Sequence, residues 1–278
     1  MSATTDVGIV ENSVGEIHDN HLHRTAGDVL AVDPSARAIG HLVDVLAEHD
    51  DPATVRVLAA RSALKAVTDD FGTTATAADL IDDDTLELRA TEDPIGNSLL
   101  LTGDAVVSIV PSADTVAGLT TRDDEFVATT HEQYESAWES AEKFTLRTPP
   151  LSYVRETLSE ELGADVREDF DAALDSMENA HDGEGLDGVT LSLLVAANNE
   201  AQLYDISKWG EDTGVASKAT FSRIKTTLEK AGLIETEKVP LDVGRPRLRL
   251  LLGDERLAEA DAGQLPHVAR ELLADEDT

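Results

Sequence analysis

Apolar residues recur along this chain in two rhythms, and the changes of rhythm predict its elements. After Asp33-Pro34, a plausible cap with proline in the first turn, Ile39, Leu42, Val43 and Leu46 fall at i, i+3, i+4 and i+7. That spacing is one buried face of a helix, and the first fifty residues read as helical. Residues 54–59 form a short β-type run, residues 62–71 a helix with Leu64 and Val67 inward, and residues 85–91 alternate as a strand. Residues 98–101, the turn Thr102-Gly103-Asp104 and residues 105–110 read as strand, turn, strand. Residues 126–130 read as one more strand, and residues 131–144 as a helix carrying Tyr134, Trp138 and Phe144. This succession predicts a small α/β domain over residues 1–148.

Pro149-Pro150 breaks the pattern and marks a boundary. Leu151, Val154, Leu158 and Leu162 then form one stripe, and Val166, Phe170, Leu174 and Met177 another. Residues 149–180 therefore read as a helical connector, suited equally to dimer packing or to a plain intrachain pair. Residues 181–188 read as a flexible linker. Residues 189–253 carry a short apolar helix, a second helix with Ile206 and Trp209 facing in, a turn, a longer basic helix and a hairpin. That order is a winged helix-turn-helix. Asp212-Thr213-Gly214-Val215 is the tight turn, Ser217 an N-cap, and Gly232 the residue that closes the helix over 218–231. Residues 233–239 and 247–252 are the hairpin strands, and residues 240–246 the wing. Residues 254–278 read as an acidic helical tail around Pro266. The expected fold class is mixed α+β or α/β: a sensor-like α/β domain, a helical connector and a C-terminal winged helix-turn-helix.

Charge sharpens that picture. The 278 residues hold 22 Lys+Arg against 56 Asp+Glu, a net charge of −34. Residues 189–253 nevertheless hold nine basic and eight acidic side chains. DNA is a polyanion, so a chain this acidic can approach it only through a locally neutral or positive face. The carboxylates are spread over every other segment, with few aromatics, which fits adaptation to high salt.

Within the basic helix, Phe221, Ile224 and Leu228 share the inward face. At 100° per residue, Lys218, Ala219, Ser222, Arg223 and Thr226 fall outward, with Lys225 on the flank and Ser217 at the cap. Short polar side chains let such a helix approach a major groove, where Lys and Arg meet phosphates and Arg can also read guanine. Arg245 at the wing, and Arg247 after it, would reach a phosphate or the minor groove.

The segment ATFSRIKTTLEKAGLIETEKVPLDVGRPRLRLLLG, with Ser217-Lys218 before it, matches the prokaryotic winged-helix pattern S-x-x-T-x-S-R-x-x-x-x-L-E-x-x-G-L-I from Ser217 to Ile234. The whole chain resembles the haloarchaeal TbsP-type transcriptional regulators nearly end to end. That resemblance implies a cytoplasmic, sequence-specific DNA-binding regulator of central carbon metabolism genes. The hairpin LLLTGDAVVSIVP is similar to the phospholipase-D-like sensor domain of TrmB-type regulators, which carry their winged helix at the other end of the chain. No ligand residue is carried over from them.

Other motifs carry less. Gly183-Glu184-Gly185-Leu186-Asp187-Gly188 spells G-x-G-x-x-G, but it lacks a preceding strand, and Glu184 and Asp187 would repel a pyrophosphate. His18, His21 and His23 do not converge and read as surface histidines. Asp82-Asp83-Asp84 lacks the glycine and distal glutamate of a calcium loop. No histidine is followed two positions later by lysine, so the His-x-Lys of phospholipase D chemistry is missing, as are a phosphate-binding loop, a nucleophile elbow and H-E-x-x-H. No Cys is present, which excludes disulfides and thiolate metal sites. The start of the sequence has no signal-peptide pattern, and no apolar run is long enough to span a bilayer. The expectation is a non-enzymatic, cytoplasmic, dimeric regulator with no cofactor and no metal. Its partners would be double-stranded DNA and a second copy, with a small metabolite as candidate effector. The alternative is a winged-helix module that binds another regulator and not DNA.

Overall fold

Asp33, the residue expected to lead into a helix, instead closes a strand. It has a φ of 48° and donates its backbone N–H to Leu58 O at 2.7 Å, and Ser35 caps the helix that follows. The structure is a computed structural model and describes residues 9–11, 13–22, 27–49, 53–112, 115–178, 186–240 and 246–276. It divides into two units, residues 1–68 with 76–146, and residues 69–75 with 147–278.

The first unit is built on an eight-stranded sheet. In chain order the strands are β1 (Ile9–Glu11), β2 (Val29–Val32), β3 (Val55–Ala60), β4 (Leu86–Thr91), β5 (Leu99–Thr102), β6 (Ala105–Ser112), β7 (Thr115–Thr121) and β8 (Glu142–Lys143). Their order across the sheet is β1-β7-β6-β5-β2-β3-β4-β8, with β2, β3 and β4 parallel and every other pairing antiparallel. Helices α1 (Val14–Leu22), α2 (Ala36–Ala47), α3 (Arg61–Val67) and much of α4 (Phe71–Asp82) pack one face through Ile17, Ile39, Leu42, Leu64, Ala77 and Leu80. Helix α5 (Asp124–Ser140) covers the other face through Val127, Tyr134 and Trp138, over Leu30, Val32, Leu58, Leu101 and Val106. Two guanidiniums lie over the Trp138 ring, Arg56 at 5.5 Å and Arg89 at 4.7 Å from its centroid.

Several expectations are corrected. The first fifty residues are not wholly helical, because β1 and β2 lie within them. Residues 126–130 are helix, not strand: Asp123 caps α5 by accepting from Phe126 N, and Asp124 and Glu125 favour its positive end. β7 and α4 are additional elements. His18 is not at the surface; it is 1% exposed, and burial followed by the nearby His41 and His21 pushes its pKa down to about 4. His23 lies outside the described residues. Asp82, Asp83 and Asp84 are exposed, with Asp82 the last residue of α4 and Asp83 and Asp84 in the turn after it.

In the second unit, α6 (Leu151–Glu161) and α7 (Ala164–Glu178) share one core with α8 (Gly188–Asn198), α9 (Leu203–Thr213), α10 (Lys218–Lys230) and the hairpin of β9 (Ile234–Val239) and β10 (Arg247–Leu252). All four residues of the second stripe and Leu151, Val154 and Leu158 of the first are buried there. Of the two uses the sequence left open for these helices, the intrachain one is present. The indole N–H of Trp209 on α9 donates to Thr157 Oγ1 on α6 at 3.0 Å. The tail joins the same core as α11 (Glu255–Ala258), a 3-10 turn (Ala262–Gln264) and α12 (Leu265–Glu276), burying Leu257, Leu265 and Ala269.

Residues 181–185 of the expected linker lie outside the described residues. The rest of it is fixed in place. Leu186 is buried, Asp187 caps α8 by accepting from Val189 N and Thr190 N, and a Cβ on Gly188 would sit 2.4 Å from the Phe71 ring. Among the described residues no helix is long and apolar enough to cross a membrane.

Candidate nucleic-acid interface

The turn between α9 and α10 depends on two glycines. Gly214 ends α9 with a φ of 86°, a left-handed conformation that L side chains rarely adopt. Ala216 N then donates back to Gly210 O at 3.0 Å. Gly210 lets the two helices touch, since a Cβ there would lie 2.1 Å from the fully buried Phe221 ring. Ser217 caps α10 by accepting from Thr220 N at 3.2 Å, and Gly232, with a φ of 67°, terminates it. Phe221 and Leu228 hold the inward face as the spacing required, with Ile224 half-buried beside them.

The outward face follows. Ser217, Ala219, Ser222, Arg223 and Thr226 are exposed together. Arg223 is exposed and forms no ion pair with any described residue. Lys218 is different: its Nζ donates to Glu211 Oε2 on α9 at 2.6 Å, and this bond raises the lysine pKa and lowers that of the glutamate. Lys225 turns inward. Its side chain is 12% exposed, and its Nζ donates at 2.7 Å to Glu229, which also accepts from Thr236 Oγ1 on β9. Burial alone would raise the Glu229 pKa, and these two hydrogen bonds lower it instead.

The hairpin pairs Ile234 with Leu252 through to Val239 with Arg247. Arg245 falls outside the described residues. Arg247 does not stand free at the wing: it stacks 4.4 Å from the Tyr204 ring and donates to Gln202 Oε1 at 2.9 Å and Asp205 Oδ1 at 3.3 Å. Arg249 pairs with Glu200 at 3.0 Å, and Leu250 N donates to Ala201 O at 2.9 Å, fastening β10 to the segment before α9. Tyr204, 49% exposed, and Gln202 thus belong to this surface although nothing in the sequence singled them out. Only the fold brings residues more than forty positions apart together. Among the described residues the face is therefore close to neutral, with short side chains around an arginine that pairs with no described carboxylate, and its other cations are largely engaged with carboxylates of the same unit.

Within the first unit, a cleft of about 420 Å³ lies beside the end of β4 and the last turns of α5. Ala90, Ile95, Tyr134 and Ala137 form its apolar walls, and Gln133 and Glu142 are among its polar groups. Among the described residues there is no group of His, Cys, Asp or Glu that could hold a metal ion.

Family comparisons cover almost the whole chain. The model for the transcriptional regulator TbsP-like N-terminal domain matches residues 7–149, and that for the TbsP-like C-terminal HTH domain matches residues 150–270. No curated protein matches the sequence. Among solved structures, TrmBL2, described as an archaeal chromatin protein with a novel mode of DNA binding, is 15% identical, with a TM-score of 0.37 over 52% of this chain and 56% of its own. This chain thus spans little more than half the length of that relative. Nuc from Salmonella typhimurium, a phospholipase D family member, is 10% identical, with a TM-score of 0.35 over 50% of this chain and 97% of its own. Likenesses this low say nothing about function.

Proposed function

The chain belongs to the TbsP-like transcriptional regulators, and from that premise we propose that it binds specific promoter sequences as a homodimer, with the N-terminal half of α10 in the major groove. The observation that carries this reading is the exposed face of Ser217, Ala219, Ser222, Arg223 and Thr226. Its small residues permit close approach, and the exposed Arg223 guanidinium can bind guanine O6 and N7. Lys218 and the wing, through Arg245 and Arg247, meet phosphates on either side. Lys225 contributes from the flank by exchanging Glu229 for the backbone. A two-fold dimer sets the recognition helices on half-sites about 34 Å apart.

The N-terminal unit serves sensing, and the cleft beside α5 has the size and the mixed lining of a small-metabolite site. The protein acts without catalysis, in the cytoplasm of a salt-adapted archaeon, on genes of central carbon metabolism. The net charge of −34 supports the salt adaptation, and the family resemblance supports the target class.

Genome-wide occupancy in native cells tests the reading, with the wild-type chain compared with an Arg223→Ala/Arg245→Ala variant. Sharp promoter peaks that vanish in the variant are expected. Peaks that persist would mean recruitment through a partner regulator, and an absence of peaks under several carbon sources would overturn DNA binding.

A further inference from the structure

Helix α5 covers only part of its side of the sheet. It shields Leu30, Leu58, Leu101 and Val106, and among the described residues no helix covers the side chains that the strands beyond that point expose. Ala117 of β7 is the direct lateral neighbour of both Val10 of β1 and Val110 of β6. Leu119, two residues on from Ala117, points the same way. Val10 is 65% exposed, Leu119 53% and Val110 43%. The opposite side of these strands is closed, because Val107, Ile109, Val116 and Gly118 meet the core beneath α1. The exposed row is therefore one contiguous apolar face over three strands, and not scattered surface valines.

Its charge is as unusual as its hydrophobicity. From Ser98 to Thr121 the only charged residues are Asp104 and Asp114, in a chain that is 28% charged. Asp104 lies in the β5–β6 turn and is paired with Arg122 at 2.6 Å. The residues around the row, Ser108, Ser112 and Thr115, carry hydroxyls. Two copies of a −34 chain repel each other wherever their acidic surfaces meet, and an uncharged face removes that obstacle. A basic partner would be drawn to the carboxylate-rich remainder of the surface and not to this patch. An apolar centre ringed by uncharged polar groups is also how dimer interfaces are built.

We propose that the outer face of β1, β7 and β6 is the homodimer interface, with a second copy packing the same face against it across a two-fold axis. Isologous contact sets each Leu119 near the axis, against the partner's apolar row. The need for a dimer rests on the DNA-binding reading; the location of the interface rests on the face itself.

The test uses the full chain. Sedimentation at micromolar concentration is expected to give a dimer for the wild type and a monomer for Val110→Asp/Leu119→Asp, a loss of at least about 100-fold in dimer affinity. Affinity for a single half-site should be unchanged in that variant, which separates the interface from DNA recognition. Because the sequence has no cysteine, Leu119→Cys supplies a second readout that does not depend on disruption. Mild oxidation should cross-link it into a covalent dimer, whereas Ser136→Cys, on the exposed side of α5, should stay monomeric. A monomeric wild type, a double variant that still dimerises, or a Leu119→Cys chain that fails to cross-link would each overturn the proposal. A dimer that binds no DNA would leave the interface standing and remove the functional reading.

Discussion

Burial holds the His18 imidazole neutral, with its pKa lowered to about 4 from an ordinary 6.5. Between those values the unfolded chain takes up a proton that the folded chain refuses. Stability is therefore whole above about pH 6.5 and falls as pH drops towards 4, by on the order of 3 kcal/mol at the lower limit. Urea unfolding at pH 7 and pH 5 should show this loss, and His18→Leu should reduce it; an unchanged pH dependence in that variant would rule His18 out as its source. Nothing in the residues around His18 signals its burial, which depends on α2 packing beside α1 on the same face of the sheet. Lys218 teaches the converse. Its outward position was legible from a 100° rotation, but its partner Glu211 on α9 was not. Glu211→Gln should free the ammonium for phosphate, tighten binding to any duplex and steepen the salt slope by about 1. Unchanged affinity and slope would mean that Lys218 does not touch DNA.

At the scale of elements, the helix-turn-helix was readable to within a residue or two because its boundaries carry chemical signals: Ser217 as cap, Gly214 and Gly232 in left-handed conformations. Where such signals were weak, the reading failed. Val29–Val32 is buried at every position, so it shows no alternation. In β7 the inward positions are Val116 and Gly118, too small to register as a hydrophobic rhythm. Helix α4 is rich in threonine and opens Phe-Gly-Thr-Thr; it forms because Asp70 accepts from Thr73 N at 2.7 Å and because Ala75, Ala77 and Leu80 find cores to enter. The contact of α9 with α10 invites a direct check. Gly210→Ala would drive a methyl into the Phe221 ring, which has no room to move, and should cost about 1–3 kcal/mol of stability in the second unit. A thermal midpoint equal to the wild type would show that the helices can part without penalty.

At the scale of the whole molecule, the sequence showed that acidity and DNA binding had to be reconciled, and the structure adds how the cations are arranged. Lys208, Lys218, Lys225, Arg247 and Arg249 all contact carboxylates. Binding DNA would then exchange internal pairs for phosphate pairs and release few counterions. The logarithmic salt slope should be shallower than about −4 per subunit, against about −5 to −9 for a regulator with about 6–10 phosphate contacts. A slope in that steeper range would show that the internal pairs do not persist in solution. The role of α6, α7 and the tail was also hidden in the sequence. Their stripes announced buried faces, but only the fold reveals that these faces complete the winged-helix core, down to the Trp209–Thr157 hydrogen bond. The most direct test of the central claim is equilibrium binding of the wild type and Arg223→Ala to a duplex from an occupied promoter and to a scrambled duplex of equal length. Loss of about 1–3 kcal/mol on the promoter duplex, with little change on the scrambled one, is the expected result. Equal affinities for both proteins on both duplexes would contradict recognition through α10.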